Sequence, residues 1–136
     1  MSALTDVLAD LPPWAWAAGV AALVLLAARG ARRRPRRGEV WFARVPFEDG
    51  SGSKDRPVLV LERAGRRYVV ARFTSQNQSA RSDYVAAPAG TPGLPKASWL
   101  SLRPTTLRRS AFRRRTGRPG SAFVRWYDDA ARRPVR

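Results

Sequence analysis

The chain has 136 residues, with 26 Lys+Arg against 10 Asp+Glu, a formal net charge of +16 at pH 7, and neither cysteine nor histidine. This length holds one domain of roughly 100 residues beside a single N-terminal segment and excludes a multidomain enzyme; the missing residue types exclude disulfides, thiolate nucleophiles, sulfur-bound metals, Ser-His-Asp triads and imidazole acid-base catalysis. The positive excess, almost all arginine because only Lys54 and Lys96 are lysines, calls for a polyanion, either nucleic acid or an anionic leaflet, while the few carboxylates argue against a cage for a hard cation, so no metal is expected.

Residues 1–10 carry Asp6 and Asp10 and no basic side chain. LPPWAWAAGVAALVLLAA, Leu11 to Ala28, is uncharged over 18 residues, and at about 1.5 Å per residue it nearly matches a bilayer core of about 30 Å. A transmembrane helix over 11–28 is therefore expected. Asp10 caps it, Pro12 and Pro13 suit its first turn, and Trp14 and Trp16 fall where an interfacial belt sits. The linker 29–37, RGARRRPRR, holds six arginines. The positive-inside rule then makes residues 1–10 extracytoplasmic and localises the rest at the cytoplasmic face of the cell membrane, as a single-pass protein. Acids before the apolar run and arginines after it reverse the order of a secretory signal. The competing reading is a buried helix of a soluble protein, which would need an element large enough to cover it.

The folded domain is expected over 38–136. Glu39 to Phe47 alternates as a strand with Trp41, Ala43, Val45 and Phe47 on one side, and Glu48 to Asp55 is a loop by composition. Arg56 to Arg63 is apolar without alternation from Pro57 to Leu61, a strand covered on both faces. After a turn at Ala64-Gly65, Arg66 to Ser75 is its hairpin partner, with Val69, Ala71 and Phe73 facing one way and Tyr68, Val70, Arg72 and Thr74 the other. Gln76 to Ser82 is polar and aperiodic, Asp83 to Pro88 a short strand, Ala89 to Lys96 a proline-rich loop, and Ala97 to Leu102 a further strand. Near the end, Phe123, Trp126, Tyr127 and Ala130 form one helical stripe. The expected fold is mainly β with α: about five antiparallel strands in a small SH3-like or OB-like barrel with a closing C-terminal helix.

Two places carry chemistry. Lys54-Asp55-Arg56-Pro57 ends a glycine-serine loop with a guanidinium at the mouth of a buried strand, and Phe73-Thr74-Ser75-Gln76 ends an apolar strand in hydroxyls and amides. Each alone is also what an ordinary surface arginine or polar loop looks like. Together, Gly38-Glu39-Val40-Trp41, Pro46, Gly50 to Ser53, Arg56-Pro57-Val58-Leu59-Val60-Leu61 and Phe73-Thr74-Ser75-Gln76, in that order, resemble the MazF/PemK family of toxin endoribonucleases from about Gly38 to Arg118. The resemblance implies an SH3-like barrel, a homodimer, neutralisation by an acidic antitoxin, and cleavage of single-stranded RNA without metal or other cofactor. It puts the catalytic arginine at Arg56 and the catalytic threonine at Thr74, with the ribose 2′-hydroxyl as nucleophile. Ser75 and Gln76 would orient the strand or a base edge, Lys54 would add phosphate affinity, and Arg72 is a further RNA-binding candidate. Some members carry a glutamate in the lid loop, where the nearest position here is Ser51.

Arg113-Arg114-Arg115, with Arg103, Arg108, Arg109 and Arg118 nearby in sequence, form the densest basic run of the domain. They are either a solvated face or an RNA track that an acidic antitoxin segment would cover. The expectation is a membrane-tethered endoribonuclease; the alternatives are a noncatalytic nucleic-acid- or antitoxin-binding barrel, and a membrane-surface scaffold.

Overall fold

The computed structural model describes residues 10–31, 33–94 and 96–133. Residues 1–9 of the expected extracytoplasmic segment and Arg32 of the linker lie outside the described residues. Contacts divide the chain into a unit ending at Arg33 and a unit beginning at Arg34.

The first unit contains helix α1 (Pro13–Ala31), two residues inside the expected start and three beyond the expected end. Trp14, Trp16, Val20 and Leu23 to Leu26 are exposed. Among the described residues no helix is long and apolar enough to cross a membrane, which corrects the expected span. The segment gets its helicity from alanines, which contribute little transfer energy, and its first turns spend positions on proline and tryptophan.

In the second unit the residues before Gly38 are already folded, so the expected linker is partly domain. Pro35 is buried, and Arg37 Nη1 donates to the Leu61 carbonyl at 3.2 Å. The strands are β1 (Val40–Pro46), β2 (Ser53–Ala64), β3 (Arg67–Thr74), β4 (Tyr84–Ala86), β5 (Trp99–Ser101), β6 (Thr105–Arg108) and β7 (Phe112–Gly117), followed by helix α2 (Ser121–Arg132). They form one antiparallel sheet in the order β4-β5-β3-β2-β1-β7, with β6 also on β3. Strand β3 is shared along its length: Arg67 to Val70 pair with β6, while Phe73 and Thr74 pair with β5. Two partners on one edge of β3 require the sheet to bend between them.

The unalternating run in β2 is covered on both faces as expected, with Val58, Leu59 and Val60 wholly buried. One face packs Trp41, Ala43, Val45, Val58, Val60, Tyr68, Val70, Leu107 and Phe112. There the Phe112 ring meets Trp41 and Tyr68 edge-on, at centroid distances of 5.9 and 5.2 Å, an arrangement that contributes about 0.5–1.5 kcal/mol per pair beyond area. The other face, with Leu59, Ala71, Phe73 and Leu100, packs with Val124 and Tyr127 of α2. The helical stripe thus centres on Val124 and Tyr127, with Phe123 and Trp126 only half-buried at its margin. The Tyr127 hydroxyl donates to the Ser101 carbonyl at 2.7 Å, and burial, helped by Asp128, pushes its pKa up to about 12.

Two further expectations are corrected. Among the described residues the sheet has seven strands and not about five, because β6 and the arginine run in β7 are strands. Phe47 leaves the alternation of β1 and is 40% exposed, since the chain turns at Phe47, whose N–H donates to the Gly52 carbonyl at 2.8 Å; that closes the loop three residues before the expected end, and Ser53 to Asp55 join β2.

Glu39, 2% exposed, holds the first strand to the last. Its carboxylate accepts the Arg36 N–H at 2.7 Å, Trp41 Nε1 at 3.2 Å, Arg115 Nη1 at 3.0 Å and Arg118 Nη2 at 3.2 Å. Burial alone would raise its pKa, but these bonds outweigh it and hold the carboxyl below its ordinary value. Two glycine pairs complete the enclosure. A Cβ on Gly38 would lie 2.5 Å from the Gly120 carbonyl carbon, and one on Gly117 would lie 2.5 Å from the Pro92 carbonyl carbon; hydrogen at these positions lets the backbones touch.

Candidate functional site

Arg56 sits early in β2, opposite Ala43 of β1, with Pro57 fixing the backbone after it. The β2–β3 register sets Val58 opposite Arg72, two residues from Arg56 on one strand and from Thr74 on the other. Arg56 and Thr74 both line a cavity of about 530 Å³. Arg56 is half-buried, and its Nε is buried without a hydrogen-bond partner among the described residues. An orphaned guanidinium N–H costs about 1–3 kcal/mol, and such a group in a cavity wall is a donor left for something that binds there.

Phe73 is 1% exposed and anchors the strand end, so the change from core to hydroxyl takes one residue. Thr74 Oγ1 accepts the Gln76 N–H at 3.2 Å. This turn orients the threonine and leaves its hydroxyl proton free to donate. Ser75 and Gln76 follow on the exposed loop and line the same cavity, with Lys54. Four cations, Lys54, Arg56, Arg81 and Lys96, face the space against the single carboxylate of Asp55, whose Oδ1 lies 3.9 Å from Arg113 Nε. Arg81 grips Asp83 with two bonds of 2.9 and 2.6 Å and lies 4.9 Å over the Tyr84 ring. The Arg81 hydrogen bonds hold the Asp83 carboxyl below its ordinary value.

Arg72 is 8% exposed, pairs with Glu48 of the loop between β1 and β2, and donates from Nη2 to the Tyr84 phenol oxygen at 3.5 Å. It lines a second cavity of about 310 Å³ with Pro46, Phe47, Glu48, Asp49, Arg56 and Tyr84. Here Asp49 Oδ1 accepts the Ser51 hydroxyl and N–H at 2.6 and 2.9 Å, which lower its pKa.

Of the nine sequence-predicted residues, five (Lys54, Arg56, Thr74, Ser75 and Gln76) come together in the larger cavity, and Arg72 lies in its neighbour. The arginine run disperses along β7: Arg113 turns to Asp55, Arg114 stacks 5.4 Å over the Phe42 ring at a third cavity of about 450 Å³, and Arg115 serves Glu39. Sequence reasoning missed Glu48, Arg81, Tyr84 and Lys96 as lining residues. Arg81 lay in an aperiodic loop, and Tyr84 read only as part of a short strand.

Residues 36–125 match the family model described as PemK-like, MazF-like toxin of type II toxin-antitoxin system. No protein of curated function matches the sequence. Among solved structures the chain is similar to an endoribonuclease from a mycobacterial species, at 17% identity over 73% of this chain and 88% of that one, with a TM-score of 0.54. It is similar to the Mycobacterium tuberculosis toxin MazF-mt6, at 22% identity over 68% and 91%, with a TM-score of 0.52. The MazE-MazF structure from Deinococcus radiodurans is matched at 17% identity over 71% and 91%, with a TM-score of 0.55.

Proposed function

Because the chain belongs to the PemK-like, MazF-like toxin family of type II toxin-antitoxin systems, we propose that it is an endoribonuclease that cleaves single-stranded RNA with Arg56 and Thr74. The observation that carries the reading is the pairing of an orphaned Arg56 Nε with a free Thr74 hydroxyl proton in the wall of one cationic cavity.

In this reaction the 2′-oxygen attacks the adjacent phosphorus, the bond to the 5′-oxygen breaks, and the 2′-hydroxyl proton leaves while another is taken up by the departing oxygen. The products are a 2′,3′-cyclic phosphate and a 5′-hydroxyl end. The protein supplies no nucleophile. It must hold the 2′-oxygen in line and stabilise charge on the equatorial phosphate oxygens. Arg56 does the second through its planar guanidinium, and Thr74 donates to a phosphate oxygen. Lys54, Arg81 and Lys96 neutralise the flanking backbone.

The test is incubation of the full chain with a mixed-sequence RNA in EDTA. Cleavage to cyclic-phosphate ends, lost in Arg56→Ala and Thr74→Ala, is the expected result. RNA binding without cleavage would favour the noncatalytic barrel and sink the enzyme. Pairing of two copies and capture by an acidic antitoxin belong to the same proposal; the family's toxin-antitoxin description supports the antitoxin, and co-purification with an acidic protein encoded nearby would test it.

The exposed Trp14, Trp16 and Leu23 to Leu26 of α1 support a second element, association with the cytoplasmic face of a membrane, with linker arginines at anionic headgroups. Flotation with phosphatidylserine vesicles, abolished by Leu25→Glu with Leu26→Glu, is expected; a parent chain that stays in the soluble fraction would overturn it.

A further inference from the structure

We propose that the 310 Å³ cavity on the Arg72 side of Arg56 is a nucleobase pocket, and that it takes guanine from the nucleotide beside the cleaved phosphate; this rests on the endoribonuclease reading. The two neighbouring cavities divide charge unequally. The one containing Thr74 sets four cations against one carboxylate and suits the phosphate backbone. The other sets Arg56 and Arg72 against Glu48 and Asp49 and adds the rings of Phe47 and Tyr84. A cavity without net charge has little hold on a phosphate. Aromatic faces beside paired donors and acceptors are what an unstacked RNA base binds.

Size and connection agree. About 310 Å³ is at the low end of small-molecule sites, which span roughly 300–1,000 Å³, and admits one base but not a stretch of strand. Arg56 and Tyr84 line both cavities, so a base held in one belongs to a nucleotide whose phosphate lies in the other.

The choice of base follows from Glu48 and Arg72. Arg72 is nearly buried and oriented by its ion pair and by the Tyr84 oxygen, so its donors point in a fixed direction. Glu48 gives Oε1 to Arg72, and its side chain is half exposed. Asp49 likewise gives one oxygen, Oδ1, to Ser51. The pocket therefore offers a carboxylate that only accepts, next to a guanidinium that only donates. Guanine alone puts two adjacent donors, N1–H and the 2-amino group, beside a carbonyl acceptor on one edge. Uracil has a single donor between two carbonyls, and adenine and cytosine have one amino group beside a ring nitrogen.

Binding of guanosine 3′- and 5′-monophosphates to the full chain by calorimetry, against the adenosine, cytidine, uridine and inosine analogues, tests this. Guanosine is expected to bind about tenfold or more tighter than the others in one of the two series, because a bidentate base contact discriminates on that scale. Inosine, which lacks only the 2-amino group, should lose most of that preference with no change to the protein. Glu48→Gln should abolish the preference, and Phe47→Ala should weaken all bases alike while keeping it. Equal affinities for the five, or a preference that survives Glu48→Gln, overturns the pocket. The failures separate: RNA cleavage without guanosine preference sinks the pocket alone, guanosine preference without cleavage supports the pocket and sinks the enzyme, and neither binding nor cleavage sinks both.

Discussion

Replacing Glu39 by glutamine tests whether the first and last strands are tied by charge or by shape. The amide keeps the volume, but its NH₂ turns donors toward donors, Arg115 Nη1 and Arg118 Nη2, now 3.0 and 3.2 Å from the acceptor Oε2. Breaking a fully buried ion pair costs about 3–5 kcal/mol. Here the two arginine side chains are 32% and 61% exposed and recover water, so a loss of about 2–3 kcal/mol is expected. In a domain of roughly 100 residues that lowers Tm by roughly 10–20 °C. The sign with pH follows from the lowered pKa of Glu39. Its contribution is complete above the unfolded value, near 4.5, and disappears as pH falls through the folded value. Urea unfolding followed by tryptophan fluorescence at pH 7 and pH 3 reads this directly. The gap between parent and variant should be wide at pH 7 and narrower in acid. Asp49 and Asp83 titrate in both proteins and drop out of the difference. A gap independent of pH, or no gap at neutral pH, would refute the argument.

Three other outcomes are expected. Arg56→Lys keeps the charge but loses the planar fork, and single-turnover RNA cleavage should fall about 100-fold or more with Tm unchanged; an unchanged rate removes Arg56 from the chemistry. Gly117→Ala places a Cβ 2.5 Å from the Pro92 carbonyl carbon and from Gly93 N, and should lower stability by about 2 kcal/mol or more; a neutral denaturation midpoint would mean that the proline-rich loop withdraws freely. In a spectrophotometric titration Tyr127 should ionise only near its pKa of about 12, a late step that Tyr127→Phe removes while costing about 1–2 kcal/mol through the stranded Ser101 carbonyl.

The β2–β3 hairpin was readable because its faces obey a period of two and its turn has glycine at a φ of +62°. The places of Arg56 and Thr74 in the fold were readable because short motifs mark where apolar strands begin and stop. Strand β7 was not, since Phe-Arg-Arg-Arg has no alternation to read. It becomes a strand because Phe112 fills the space between Trp41 and Tyr68, and because Arg115 meets a carboxylate 76 residues away. Charged side chains on such a sheet edge also discourage pairing with another chain. The pairing of Glu48 with Arg72 escaped for a similar reason. A loop glutamate and a strand arginine give no local sign of each other, and only curvature of the sheet brings the loop back over β3.

The span between Glu39 and its two arginines also bears on how the protein is made. A ribosome releases β1, β2 and β3 long before Arg115 and Arg118, the latter 79 residues further on. Until those arginines emerge, the newborn chain holds a carboxylate without its counter-charges, and β1 lacks the neighbour that covers one of its edges. Long-range closure of this kind is slow and leaves strand edges open meanwhile. The half-synthesised protein is thus the form most in need of a chaperone.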